Sequence, residues 1–210
     1  AWVLEFQKRG LPHSHILLIL QSEYKPRNPE TVDKIIHCNI PSPEEDPQLL
    51  EGIKNLMVHG PCGTLNPDAV CMENGLCSRG FPKEYQQTTI INECGFPKYR
   101  RSETSRIINV RGTEVDCRYI VPHNPYLLRR YNAHINVEIC SSIKSFKYLY
   151  KYIYKGHDRT QIRVEEGERA PRDEIKEFLD SRYISPPEAF WRLSEYSLSK
   201  LSHVIVRLAV

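Results

Sequence analysis

Two histidines one residue apart, His13 and His15, flank Ser14 in a stretch rich in apolar residues. Side chains alternate between the faces of a β-strand, so both imidazoles would point the same way. Imidazole is a common ligand for divalent metals, and two from one face make half a site. The turn Lys8-Arg9-Gly10-Leu11-Pro12, with glycine and proline to reverse the chain, would fold Trp2 to Gln7 back against His13 to Leu20. If Gln7 then lies opposite His13, Glu5 falls opposite His15. Either oxygen could complete a three-residue site that leaves positions open for a phosphate oxygen. Gln7, nearer the turn, is the favoured third ligand, and Glu5 is the alternative. An isolated His-x-His on a strand is common, however, and alone says little.

The run Lys147-Tyr148-Leu149-Tyr150-Lys151-Tyr152-Ile153-Tyr154-Lys155 is the most unusual in the chain. On a helix Tyr148 and Tyr152 share one face, a turn apart, beside a stripe of Lys144, Lys147, Lys151 and Lys155. A phenol is a weak nucleophile at neutral pH because its pKa lies near 10. Neighbouring ammonium groups would favour the phenolate and attract a nucleic-acid backbone. The plainer reading has the aromatics packed on a core and the lysines in water.

A third cluster is His59-x2-Cys62-x8-Cys71-x5-Cys77, in a stretch from Gly60 to Tyr99 dense in Gly, Pro and Cys. A tetrahedral Cys3His zinc site would hold together a loop too polar to hold itself. The alternative is a set of ordinary buried thiols, with Cys94 a substitute ligand. Cys38, Cys117 and Cys140 read as core residues. Seven cysteines without a secretory signal argue for reduced thiols rather than a disulfide framework.

The elements that must carry these groups suggest an α+β fold with a mainly antiparallel sheet flanked by helices. The hairpin supplies two strands. Short strands are expected at Arg106–Val110 and Val115–Val121 around Gly112, and another at Ala133–Ile139. Helices are expected at Asp46–Val58, Pro125–Tyr131, Ser142–Lys155, Asp173–Asp180 and Pro187–Tyr196. With 210 residues, 40% of them hydrophobic, the chain can bury a core as one domain. Its ends read as cuts through something larger. The net charge of +3 is weak evidence for nucleic acid, although Lys98 to Arg130 and Lys144 to Lys155 are locally basic. The longest apolar run, Ile16 to Leu20, is too short to span a membrane.

Taken together, Glu5-Phe6-Gln7-Lys8-Arg9-Gly10-Leu11-Pro12-His13-Ser14-His15 and Lys147 to Gly156 resemble the metal and two-tyrosine motifs of the HUH endonucleases. The likeness is to the Helitron replication-initiator domain in particular. His59-Gly60-Pro61-Cys62, Gly80-Phe81-Pro82-Lys83, Asn132 to Glu138, and Arg182-Tyr183-Ile184-Ser185 to Trp191-Arg192 extend the likeness along nearly the whole chain. The resemblance implies a ferredoxin- or RRM-like domain over residues 1–210, with a loop insertion at 59–99 and a helical part at 171–210. The family's first strand would lie ahead of Ala1, so an N-terminally truncated copy is expected. Ser14 stands where the family name implies a hydrophobic residue, on the strand face away from the metal.

Carried over, His13 and His15 would bind Mg²⁺ or Mn²⁺, and Tyr148 and Tyr152 would be the nucleophiles. The implied activity is nicking and transfer of single-stranded DNA through a 5′-phosphotyrosine, in rolling-circle transposition within the nucleus. The resemblance also implies a helicase domain downstream; no G-x-x-x-x-G-K-[ST] phosphate loop occurs in these residues, so ATP hydrolysis of the usual kind is not expected of them. The rival expectations are a catalytically dead DNA-binding remnant and a zinc-stapled protein-interaction domain.

Overall fold

A computed structural model describes residues 1–6, 10–91, 96–140 and 184–202. In chain order its elements are β1 (Trp2–Phe6), β2 (Pro12–Ile16), α1 (Pro29–Ile35), α2 (Pro47–Gly52), β3 (Met72–Glu73), β4 (Leu76–Cys77), β5 (Ile108–Val110), β6 (Thr113–Val115), α3 (Pro125–Tyr131), α4 (Pro186–Leu193) and β7 (Ser199–Lys200). The class is α+β, and every strand pairing among the described residues is antiparallel. None of the described helices is long and apolar enough to cross a membrane.

The chain divides into two compact units, one of residues 1–21 with the part from 146 onward, the other of residues 22–145. In the first, a three-stranded sheet runs in the order β2-β1-β7. The return strand of the hairpin stops at Ile16, four residues short of the expected Leu20, and Leu18 and Ile19 stand exposed. Gly10 is required in the hairpin loop. Its φ is +79°, and a Cβ there would sit 2.9 Å from the Ser185 Cβ, so both backbone and space demand glycine. Helix α4 opens on Pro186-Pro187, whose missing N–H groups cost nothing in a first turn. Trp191 packs edge-on against Phe6 at 6.3 Å and against Tyr196 at 5.1 Å.

In the second unit, three helices start the same way. An Asn or Asp side chain caps the helix and a proline occupies its first turn: Asn28-Pro29, Asp46-Pro47 and Asn124-Pro125. Helix α1 is not among the expected elements, although Asn28 and Thr31 form a reciprocal capping box at its start. Helix α2 continues into a wider π-type turn, Ile53–Met57, whose Ile53 and Met57 are fully buried. These two pack with Leu49, Leu50, Ile120 and Leu128 in the main core. A second cluster gathers Val32, Ile36, Cys38 and Tyr99.

Two strand expectations fail here. Residues 116–121 turn into a 3-10 helix, Cys117–Tyr119, because the Asp116 side chain accepts from the Arg118 N–H and caps it. Residues 133–140 join no sheet. Cys38 and Cys117 are buried as expected, but Cys140 is exposed. The expected helices Ser142–Lys155 and Asp173–Asp180 lie outside the described residues.

His123 is fully buried in this unit, 0% exposed, with its Nδ1–H donated to the Val121 carbonyl at 3.0 Å. Burial holds its pKa down to about 4, against an ordinary value near 6.5. Between these values the unfolded chain binds a proton that the fold refuses. Stability present above pH 6.5 is therefore lost as the pH falls toward 4, by on the order of 3 kcal/mol. Denaturant midpoints should drop more steeply from pH 7 to 4.5 in the wild type than in His123→Gln. Parallel slopes would reject this account. Glu138, whose carboxyl is pushed up by burial, acts in the opposite direction but equally in both proteins.

Candidate metal centres

The hairpin brings Glu5, His13 and His15 together. Glu5 pairs opposite His13, and Val3 opposite His15. Alternation therefore puts Glu5 and both imidazoles on one face. One ligand atom from each of the three lies within 4.8 Å of the others. The two rings are 4.5 Å apart at 37°, and His15 Nε2 is 3.4 Å from Glu5 Oε2. The His15 side chain is 15% exposed and that of Glu5 52%, so the cluster opens to solvent on the carboxylate side. Two imidazoles and a carboxylate suit a hard or borderline divalent cation and leave coordination positions open.

This register differs by two residues from the one expected, in which Gln7 lies opposite His13. The cause is Pro12, which belongs to the expected turn but opens β2 opposite Phe6. Proline at a strand's first residue loses no ladder hydrogen bond. Gln7 itself lies outside the described residues. So do Tyr148, Tyr152, Lys144, Lys147, Lys151 and Lys155, together with Tyr150, Tyr154 and Cys94.

The second centre gathers His59, Cys62, Cys71 and Cys77, whose ligand atoms also lie within 4.8 Å of one another; the four could hold a metal ion. Their spacing is irregular in sequence, and local folding supplies what the spacing lacks. Asn74-Gly75, both with positive φ, make a two-residue turn that pairs Met72 with Cys77 and returns Cys77 toward Cys71. The Ser78 N–H donates to the Cys71 carbonyl at 2.8 Å. His59 is set by its N–H to the Tyr119 carbonyl, 2.9 Å, and Tyr119 Oη in turn donates to the Cys62 carbonyl. Cys62 and Cys77 belong to the main core.

The electrostatics differ between the buried thiols, favouring the thiolate at Cys77 and the protonated thiol at Cys62. The Arg79 N–H points at Cys77 Sγ, 3.4 Å away, while the Gly80 N–H bonds the Cys77 carbonyl at 2.8 Å. Burial pushes the Cys77 thiol up, but the backbone amides of Phe81 and Arg79 and the neighbouring thiols outweigh it and hold the thiol below its ordinary range. Cys62, buried and beside two other thiols, is pushed up to about 12. Burial, with Lys83 and Arg79 nearby, lowers His59 and keeps its imidazole in the neutral form that metals bind. Phe81 stacks on the His59 ring at 4.2 Å and 11°, fixing its plane, and the Lys83 ammonium lies 4.8 Å from the Phe81 centroid.

Phe81 and Lys83 are parts of this centre that sequence reasoning passes over, because only their place in the Gly80-Phe81-Pro82-Lys83 motif hints at a role. Comparison with known proteins finds no family model that matches the chain, and no curated protein matches it significantly.

Proposed function

We propose that this chain nicks and rejoins single-stranded DNA, using a tyrosine as nucleophile and a divalent metal at Glu5, His13 and His15. The observation that carries the reading is the convergence of those three side chains on one open face of the hairpin. Mg²⁺ or Mn²⁺ bound there would polarise the scissile phosphate. The phenol of Tyr148 or Tyr152 gives up its proton, and its oxygen forms a bond to phosphorus. The bond from phosphorus to the 3′ oxygen breaks, and that oxygen takes a proton. The products are a 5′-phosphotyrosine and a free 3′-OH. Reversal by another 3′-OH joins strands, and because the ester bond is conserved no nucleotide is consumed. Lys144, Lys147, Lys151 and Lys155 would bind the DNA backbone and favour the phenolate.

On the same reading, the ion at His59, Cys62, Cys71 and Cys77 is zinc, since three thiolates and an imidazole make a closed, soft tetrahedral set. The resemblance to Helitron initiators adds a downstream helicase domain, rolling-circle transposition and a nuclear site of action.

Replacing His13 or His15 by Ala is expected to abolish nicking, a loss of at least several kcal/mol of transition-state stabilisation. Binding to single-stranded DNA, which rests on distributed phosphate contacts, should remain. Glu5→Ala should weaken Mn²⁺ binding measured by calorimetry, while Gln7→Ala leaves it unchanged. Nicking retained in both histidine variants rejects the assignment.

A further inference from the structure

One imidazole and three thiols make a centre with two kinds of ligand, and the fold secures them differently. Cys62 and Cys77 are buried and packed in the main core. Cys71 is half-buried, but as a ligating thiolate it carries a charge that attracts a dication. His59 is both half-buried and neutral when it ligates. Rotation about its side-chain bonds would take the ring off an ion without moving the backbone. An ion held by four ligands leaves stepwise, and the ligand that detaches most readily sets the pace. At this centre that ligand is His59.

The segment from Arg79 to Lys83 lies across that ring. Its near end is set by the Arg79 N–H on Cys77 Sγ at 3.4 Å, and its far end by the Lys83 N–H on the Arg118 carbonyl at 3.0 Å. Between them Gly80 turns the chain with a φ of +64°. Phe81 then lies nearly parallel to the imidazole, 11° between planes and 4.2 Å between centroids. Pro82 comes close to Gly63, in the loop that follows His59. Lys83 folds back over the turn: its ammonium donates to the Arg79 carbonyl at 2.9 Å and lies 4.8 Å from the Phe81 centroid. To swing outward, the His59 ring must break its stack with Phe81, and lifting Phe81 aside costs the ring its contact with the ammonium.

We propose that Phe81, held down by Lys83, gates metal exchange at His59, Cys62, Cys71 and Cys77 by keeping the imidazole from swinging off the ion. This rests on the zinc binding proposed above for those four residues. Phe81 supplies no ligand atom. The barrier it raises stands against the imidazole leaving and against its return alike, so the gate slows exchange and leaves affinity almost unchanged.

The test measures two quantities on the zinc-loaded chain: the rate of zinc release into excess chromogenic chelator, and the zinc Kd by competition. Phe81→Ala should speed release by roughly five- to tenfold, the worth of an aromatic stack, with Kd changed by less than about twofold. Phe81→Tyr keeps the ring and should release zinc at the wild-type rate. Lys83→Met keeps the stem without the ammonium and should speed release about twofold. Tyr126→Ala, which removes an exposed aromatic from α3, should change neither quantity. Unaltered release in Phe81→Ala, or release in Phe81→Tyr as fast as in Phe81→Ala, would overturn the gate. A Kd in Phe81→Ala that weakens as much as release quickens would also overturn it, and would make Phe81 a support of the bound state. A wild-type chain that binds no zinc overturns the zinc reading and the gate together, whereas bound zinc with unaltered release in Phe81→Ala overturns the gate alone.

Discussion

Freshly purified, reduced protein should contain about one zinc per chain, and Cys77→Ser should abolish tight zinc binding. The effect is expected to be large because a closed Cys3His set contributes apparent binding free energies of roughly 10–16 kcal/mol in small zinc domains. It should also spread beyond the loop. Cys62 and Cys77 are packed in the same core as Ile53, Met57 and Ile120, and His59 is bonded to the Tyr119 backbone. Chelation should therefore speed amide exchange from Gly60 to Tyr99 and lower the melting temperature of the unit of residues 22–145. Mn²⁺ binding at Glu5, His13 and His15 belongs to the other unit and should persist in Cys77→Ser. Elemental analysis that finds no zinc, with thiols demonstrably reduced, would make these four residues an ordinary thiol cluster.

The second large effect concerns the tyrosines. The double variant Tyr148→Phe, Tyr152→Phe should fold, bind single-stranded DNA and form no covalent adduct. Phenylalanine keeps the ring and deletes the hydroxyl, so stability should change by about 1 kcal/mol, the scale of one net hydrogen bond. Each single variant should retain part of the reaction, because two nucleophiles serve two cleavage events. Phe at Tyr150 or Tyr154 should leave the yield nearly unchanged. If the double variant forms as much adduct as the wild type, the nucleophile lies elsewhere in the chain.

Local chemistry is legible in the sequence wherever a residue type permits few conformations. Gly10 with Pro12 marks the hairpin, Gly112 the β5–β6 turn, and Asn124-Pro125 the start of α3. The α+β class rests on these. Register is not legible, because Pro12 suits both a turn and the first position of a strand, and a two-residue difference leaves the alternation of faces intact. For the same reason His13 and His15 keep their shared face while Glu5 takes the position expected of Gln7. Residues 133–139 alternate like a strand because Val137 and Ile139 bury against Tyr99, but strand pairing needs a partner edge that no local pattern reveals. The zinc-type ligands are readable as residue types. Phe81 and Lys83 are not, since stacking on an imidazole leaves no periodic signal.

The most direct test is to incubate the wild-type chain with single-stranded oligonucleotides and Mn²⁺ or Mg²⁺, then measure intact mass and map any adduct by peptide mass spectrometry. The chain is expected to gain one 5′-phosphorylated DNA fragment, carried on Tyr148 or Tyr152, only when metal is present. No modified tyrosine under any metal condition, while a control Helitron initiator reacts in parallel, would contradict the account and leave a DNA-binding remnant.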